Sequence, residues 1–199
     1  MSLPVVSSVE LRRHTVASPS SGRTRLQMPD LLHATDQAAD DVLSGRCDHL
    51  LPKGGVPEAE RGFARIHGDE GLDVWLISWV PGRATELHDH GGSLGALTVL
   101  SGSLNEFRWD GRGLRRRRLD AGDQAGFPLG WVHDVVWAPG AVAGLVPAPA
   151  SPIKGPVEPT LSVHAYSPPL TAMSYYEITY RNRLRRQRTE LTDQPEGPR

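Results

Sequence analysis

The chain has 199 residues, a formal net charge of −1, one cysteine (Cys47) and eight histidines. That length suits one domain with a sizeable core, while a single thiol excludes a disulfide-stapled scaffold and any cysteine-rich zinc or iron–sulfur site. No apolar run approaches the roughly 18 residues of a membrane span, Leu3, Val5, Val6 and Val9 are too sparse for a signal-peptide core, and the near-zero charge argues against a nucleic-acid binder. The expectation is a soluble, cytoplasmic, monomeric protein without nucleic-acid or membrane partners.

Residues 1–28 contain Ser-Pro-Ser-Ser-Gly at 18–22 and no sustained periodicity, which predicts a mostly disordered arm. Residues 29–44 read as a helix: Leu31, Leu32, Ala38, Ala39, Val42 and Leu43 fall near helical spacing and Gly45 closes it. Leu50 to Pro57 is a loop rich in Pro and Gly. Strands begin at Phe63. Asp73–Val80 is apolar on both faces, as in a strand between two layers. Gly95–Leu100, Leu104–Trp109, Leu114–Leu119 and Val132–Trp137 follow, separated by turn signals such as Asp110-Gly111-Arg112-Gly113. A proline-rich loop then leads to Leu161–Tyr166 and Met173–Tyr180.

The 21 glycines and 17 prolines, spread along the chain, favour eight or more short strands over long helices. Two arginine clusters stand out. Arg115–Arg118 alternates faces within a strand, so two of the four point inward or are covered; the expectation is a solvated edge strand. The run Arg181–Arg188 reads as a solvated helix or tail, and 189–199 as a polar tail, with a single domain over 29–188.

His14, His33, His49 and His67 sit singly in arm, helix or loop. The other four histidines are placed differently. In His88-Asp89-His90 the two imidazoles lie two apart on a strand, so both reach one point while Asp89 points away. Five residues separate Gly82 from His88, and Gly102 follows at a strand turn. Downstream, Gly122, Pro128, Gly130 and His133 repeat the layout of turn, bend and histidine. Ser162, His164 and Tyr166 lie at i, i+2 and i+4, so one strand face presents a hydroxyl, an imidazole and a phenol. They form either a chain of satisfied core groups or a hydrogen-bond relay that holds the Tyr166 hydroxyl over a site.

These offsets resemble the two signature motifs of the cupin superfamily, G-x5-H-x-H-x(3,4)-E-x6-G and G-x5-P-x-G-x2-H-x3-N. Gly95 stands at the glutamate position and Trp137 at the asparagine position. The site is thereby reduced to three imidazoles, His88, His90 and His133, a set that suits iron, copper, zinc or nickel. With no carboxylate ligand a divalent metal keeps its full charge, which favours an anionic ligand such as a thiolate.

A three-histidine cupin site followed by S-x-H-x-Y and Ser-Pro-Pro resembles the cysteine dioxygenase family of thiol dioxygenases, from about Phe63 to Pro169. The resemblance implies an all-β cupin jelly-roll barrel with a short N-terminal helical region. It implies Fe(II) at His88, His90 and His133, and an outer triad of Ser162, His164 and Tyr166. It also implies a cis bond at Ser167-Pro168, an aromatic support at Trp79, and Arg65 as the residue that binds the substrate carboxylate. Phe63 stands where vertebrate members have a tyrosine assisting that arginine. Gly95 stands where those members carry a cysteine crosslinked to the tyrosine, and glycine is common there in bacterial members; no cysteine–tyrosine cofactor is expected. The implied reaction is oxidation of L-cysteine by O2 to cysteine sulfinic acid. The alternatives are a dioxygenase of 3-mercaptopropionate or another small thiol, and a non-catalytic metal-binding cupin sensor.

Overall fold

Strand β2 (Asp73–Trp79) is buried along its whole length, because both faces of it are covered. A computed structural model describes residues 26–51, 60–82, 84–139 and 160–195. The expected arm over 1–25, most of the Pro/Gly loop after Leu50 and most of the proline-rich loop before Leu161 lie outside the described residues. Helix α1 (Met28–Leu43) is entered through a reciprocal capping box between Gln27 and Asp30, with a proline in its first turn. It lays Leu31 against Val74, Leu76, Ala96, Val163 and Ala165. Those residues form the outer face of a five-stranded antiparallel sheet.

That first sheet runs β1 (Gly62–Gly68), β2, β9 (Thr160–Ser167), β4 (Leu94–Ser101), β7 (Gln124–Phe127). A second, six-stranded sheet runs β11 (Leu184–Leu191), β10 (Ala172–Ile178), β3 (His88–Asp89), β8 (His133–Ala138), β5 (Ser103–Trp109), β6 (Leu114–Asp120). Strand alternation sends Trp75, Ile77, Trp79, Leu97, Val99 and Tyr166 from the first sheet towards Leu104, Leu119 and Val135 from the second, closing one core. Two facing antiparallel sheets between which the chain crosses repeatedly, from β2 to β3, β3 to β4, β4 to β5 and again from β6 through β10, are the double-stranded β-helix of a cupin. Gly102 makes the β4–β5 turn at φ 69°, and a Cβ there would run into Thr160.

The arginine clusters resolve differently. β6 is an edge strand, as expected, with Arg115 and Arg117 paired across from Arg108 and Glu106, but all four of Arg115–Arg118 are exposed, so the expectation that two of them turn inward or are covered is corrected. The segment 184–191 is a strand, not a helix or tail, so the expectation for Arg181–Arg188 and for a tail from 189 is corrected. Arg188 grips Glu86 through two contacts of 3.0 and 2.7 Å and lies 3.8 Å over the Tyr175 ring, and Arg185 bonds Glu177. Strand partners and acidic neighbours distant in sequence convert a charged run into an edge strand. Among the described residues no helix is long and apolar enough to cross a membrane.

Leu104 is fully buried at the centre of the core. Leu104→Ala is expected to cost about 2–5 kcal/mol of unfolding free energy, read from the urea midpoint. A loss below about 1 kcal/mol would mean that the sheets close over the gap.

Candidate metal centre

The two-residue strand β3 pairs His88 with His133 of β8 on one side and with Tyr175 of β10 on the other. Alternation turns His88 and His90 inward. Asp89 turns away and accepts hydrogen bonds from the Gly91 and Ser174 N–H groups at 2.9 and 3.3 Å and from the Tyr176 hydroxyl at 2.7 Å. The H-x-H segment is therefore anchored to β10 by the residue between its histidines.

All three imidazoles are buried, and one ring nitrogen from each lies within 4.8 Å of the others. Nε2 of His133 stands 3.4 Å from Nε2 of His90, the separation of two nitrogens that each lie about 2.1 Å from one ion. The Nδ1–H of His88 donates to the Glu86 carbonyl at 2.7 Å, and that of His133 to the Glu106 carboxylate at 3.3 Å. Each bond leaves an Nε2 lone pair for a metal. Burial, and secondarily the nearby His133, push His88 down to about 3; burial likewise pushes His90 well below its ordinary value. Three buried imidazoles converging on one point, with burial favouring the neutral form of His88 and His90, are the chemistry a divalent transition metal needs, so the residues fit the ion that the resemblance implies.

Strand β9 runs between β2 and β4 and presents Ser162, His164 and Tyr166 on its inner face. Nε2 of His164 is 3.0 Å from the Ser162 hydroxyl and Nδ1 is 3.4 Å from the Tyr166 hydroxyl. The Trp79 indole N–H donates to Ser162 Oγ at 2.8 Å. An indole can only donate, so it occupies a Ser162 lone pair and leaves the serine proton for His164 Nε2. Nδ1 of His164 then carries the hydrogen, and the tyrosine keeps its own proton to give. Burial, ahead of the charge on Arg61, holds His164 well below its ordinary value, consistent with a neutral ring. Tyr166 reaches the histidines: its ring centroid is 5.0 Å from that of His90. The Ser167–Pro168 bond is cis.

Arg65 does not reach this site. It lies on β1 with its side chain half exposed, curls over Gly68 and pairs with the buried Asp73. The arginine in the cleft is Arg61, just before β1, buried at 5 % exposure with its guanidinium 4.4 Å from the Trp79 ring. Arg61, Trp79, Thr85 and Met173 line the cleft together with the three histidines, His164 and Tyr166. Gly95 pairs directly with Tyr166 across β4 and β9. A Cβ at Gly95 would stand 3.0 Å from both the His90 ring and the Phe127 ring, so a side chain there would press on a candidate ligand.

Sequence reading missed Arg61 and Glu106. Glu106 carried a signal: it shares inward parity with Leu104 on β5, and a carboxylate on a buried face calls for a partner.

The fold is the double-stranded β-helix of a cupin, and its three-histidine centre offers one ligand atom from each ring to a metal ion. Residues 57–127 match the family model for cysteine dioxygenase type I, so the resemblance carried by the motifs stands over that stretch, which holds His88 and His90 but ends before His133. No curated protein matches. Solved structures similar to this chain include an uncharacterized conserved protein with a double-stranded β-helix domain from Klebsiella pneumoniae, at 21 % identity, TM-score 0.43, covering 61 % of this chain and 86 % of that one. KdgF from a Halomonas species is 16 % identical at TM-score 0.41, covering 56 % and 82 %. A cupin superfamily protein from Desulfitobacterium hafniense is 10 % identical at TM-score 0.42, covering 56 % and 81 %.

Proposed function

We propose that this protein is a mononuclear non-haem iron thiol dioxygenase that oxidises L-cysteine with O2 to cysteine sulfinic acid. The observation that carries the reading is a buried three-histidine group without a carboxylate, facing a Ser–His–Tyr relay and a buried arginine. His88, His90 and His133 would hold the iron, which when bound supplies a site where the thiolate sulfur and O2 meet. Both oxygen atoms end on sulfur, at the sulfinic rung of thiol oxidation, and no further reductant is needed.

The chain's own residues do the rest. Arg61 receives the substrate carboxylate through charge-assisted hydrogen bonds, and so fixes which end of the amino acid enters first. Trp79 and Ser162 hold His164 in one tautomer, and His164 holds the Tyr166 hydroxyl as a donor towards negative charge that develops on substrate or oxygen. The enclosing core excludes water, which strengthens each of these contacts.

The deciding experiment adds L-cysteine and 3-mercaptopropionate separately to Fe(II)-reconstituted protein and follows oxygen uptake and product mass. Uptake of one O2 per cysteine with sulfinate formed is the expected result. A clear preference for 3-mercaptopropionate overturns the substrate. No uptake with iron confirmed in place favours a sensor. Tyr166→Phe is expected to retain iron and lose about 10²–10³-fold in kcat; wild-type turnover would remove the tyrosine from the reaction.

A further inference from the structure

Glu106 is a buried carboxylate on β5 that the reaction above does not use. It is 4 % exposed, and one of its oxygens, Oε1, accepts two hydrogen bonds, from His133 Nδ1–H at 3.3 Å and from Trp131 Nε1–H at 3.2 Å. Its position follows from register. Arg108 lies directly opposite His133 across β5 and β8, and Glu106 opposite Val135, so the carboxylate reaches His133 along a diagonal. Arg117 of β6 pairs across from Glu106 on the other side, and the Arg108 guanidinium covers the Trp131 ring at 4.3 Å. Burying a carboxylate is costly unless its bonds are well made, and here both bonds converge on one oxygen, which stands behind the candidate metal ligand His133.

We propose that Glu106 is a positioning residue of the metal centre: it fixes the ring plane and tautomer of His133 and, as an anion, makes Nε2 of that ring a stronger donor. Trp131, held under Arg108, keeps the carboxylate in place. The contrast with His88 sharpens the assignment. His88 donates to a neutral backbone carbonyl and His133 to a carboxylate, so a metal held there would meet two unequal imidazole donors. The inference rests on the three histidines holding a metal, but not on the identity of the substrate.

The test titrates metal-free protein with Co(II), reading both affinity and the visible d–d spectrum, for wild type, Glu106→Gln, Glu106→Ala and His133→Ala. Glu106→Ala is expected to weaken Co(II) binding by about 10- to 100-fold, the usual effect of losing an outer partner of a ligating histidine, and to shift the spectrum. Glu106→Gln keeps an oxygen that accepts both bonds and loses only the charge, so it should weaken binding less than alanine, by a few-fold, and rescue most of the spectrum. Glu106→Ala that binds within twofold of wild type with an unchanged spectrum overturns the proposal. If Glu106→Ala does not fold, Glu106→Gln decides: an unchanged affinity and spectrum rejects the charged role. His133→Ala separates the two readings. If it binds Co(II) like wild type, the metal centre itself is wrong; if it loses Co(II) while Glu106→Ala keeps it, only the role of Glu106 fails.

Discussion

His133→Ala protein purifies without a bound divalent metal and consumes no oxygen on addition of cysteine. Among the described residues the site has three nitrogen donors and no carboxylate in the ligand group, so removing one leaves two imidazoles on an exposed divalent charge. The loss in affinity should exceed the roughly 10–100-fold that outer partners command. His133 is also the link between β3 and β8 and one of two donors to Glu106. Its removal leaves a buried carboxylate short of a partner, at about 1–3 kcal/mol of stability, so folding must be checked by circular dichroism alongside metal analysis. His90→Ala is the cleaner companion, because no carboxylate leans on it; it too should lose the metal. A folded His133→Ala protein that keeps stoichiometric iron would show that the metal sits elsewhere.

The second expected result separates two arginines. Arg61→Ala raises KM for cysteine by roughly 10- to 150-fold, the equivalent of about 1.5–3 kcal/mol for a hydrogen bond to a charged group, and leaves iron content unchanged. Arg65→Ala leaves KM within about twofold and lowers stability instead, because the buried carboxylate of Asp73 loses the cation that pairs with it. Steady-state kinetics on the reconstituted variants, with thermal melts beside them, give both readouts. If the KM effect falls on Arg65 and spares Arg61, the carboxylate does not bind in the cleft described above.

That pair also shows how far the sequence reaches. Arg61 and Arg65 are four residues apart at one strand's edge, so period-two alternation puts both on the face that bears Trp75 and Trp79. Parity cannot choose between them. They are separated by about 13 Å of strand, and what chooses is the pairing of β1 with β2, which sets Arg65 opposite Trp75 near Asp73 and leaves Arg61 over Trp79. Glu106 is a similar case. Its inward parity is legible, but its partner His133 is on β8 and comes into reach only when β5 and β8 align. The last strand was hidden for another reason: charge outweighs β-propensity in an edge strand, and the partners that stabilise 184–191 lie on β10 and at Glu86.

The sequence by itself determined what is local. Turn glycines, the Pro-x-Gly bend and the two-residue alternation specify which way His88, His90, His133, Ser162, His164 and Tyr166 face, because backbone sterics and pleat act over a few residues. It therefore determined the β class, His88 and His90 as a pair and the relay as a row, while His133 joined that pair through the motif resemblance. Only the tertiary structure decided which charged groups meet them. Arg61 enters the cleft, Arg65 stays outside it, and Glu106 backs His133, because those contacts depend on strand register and sheet stacking between segments tens of residues apart.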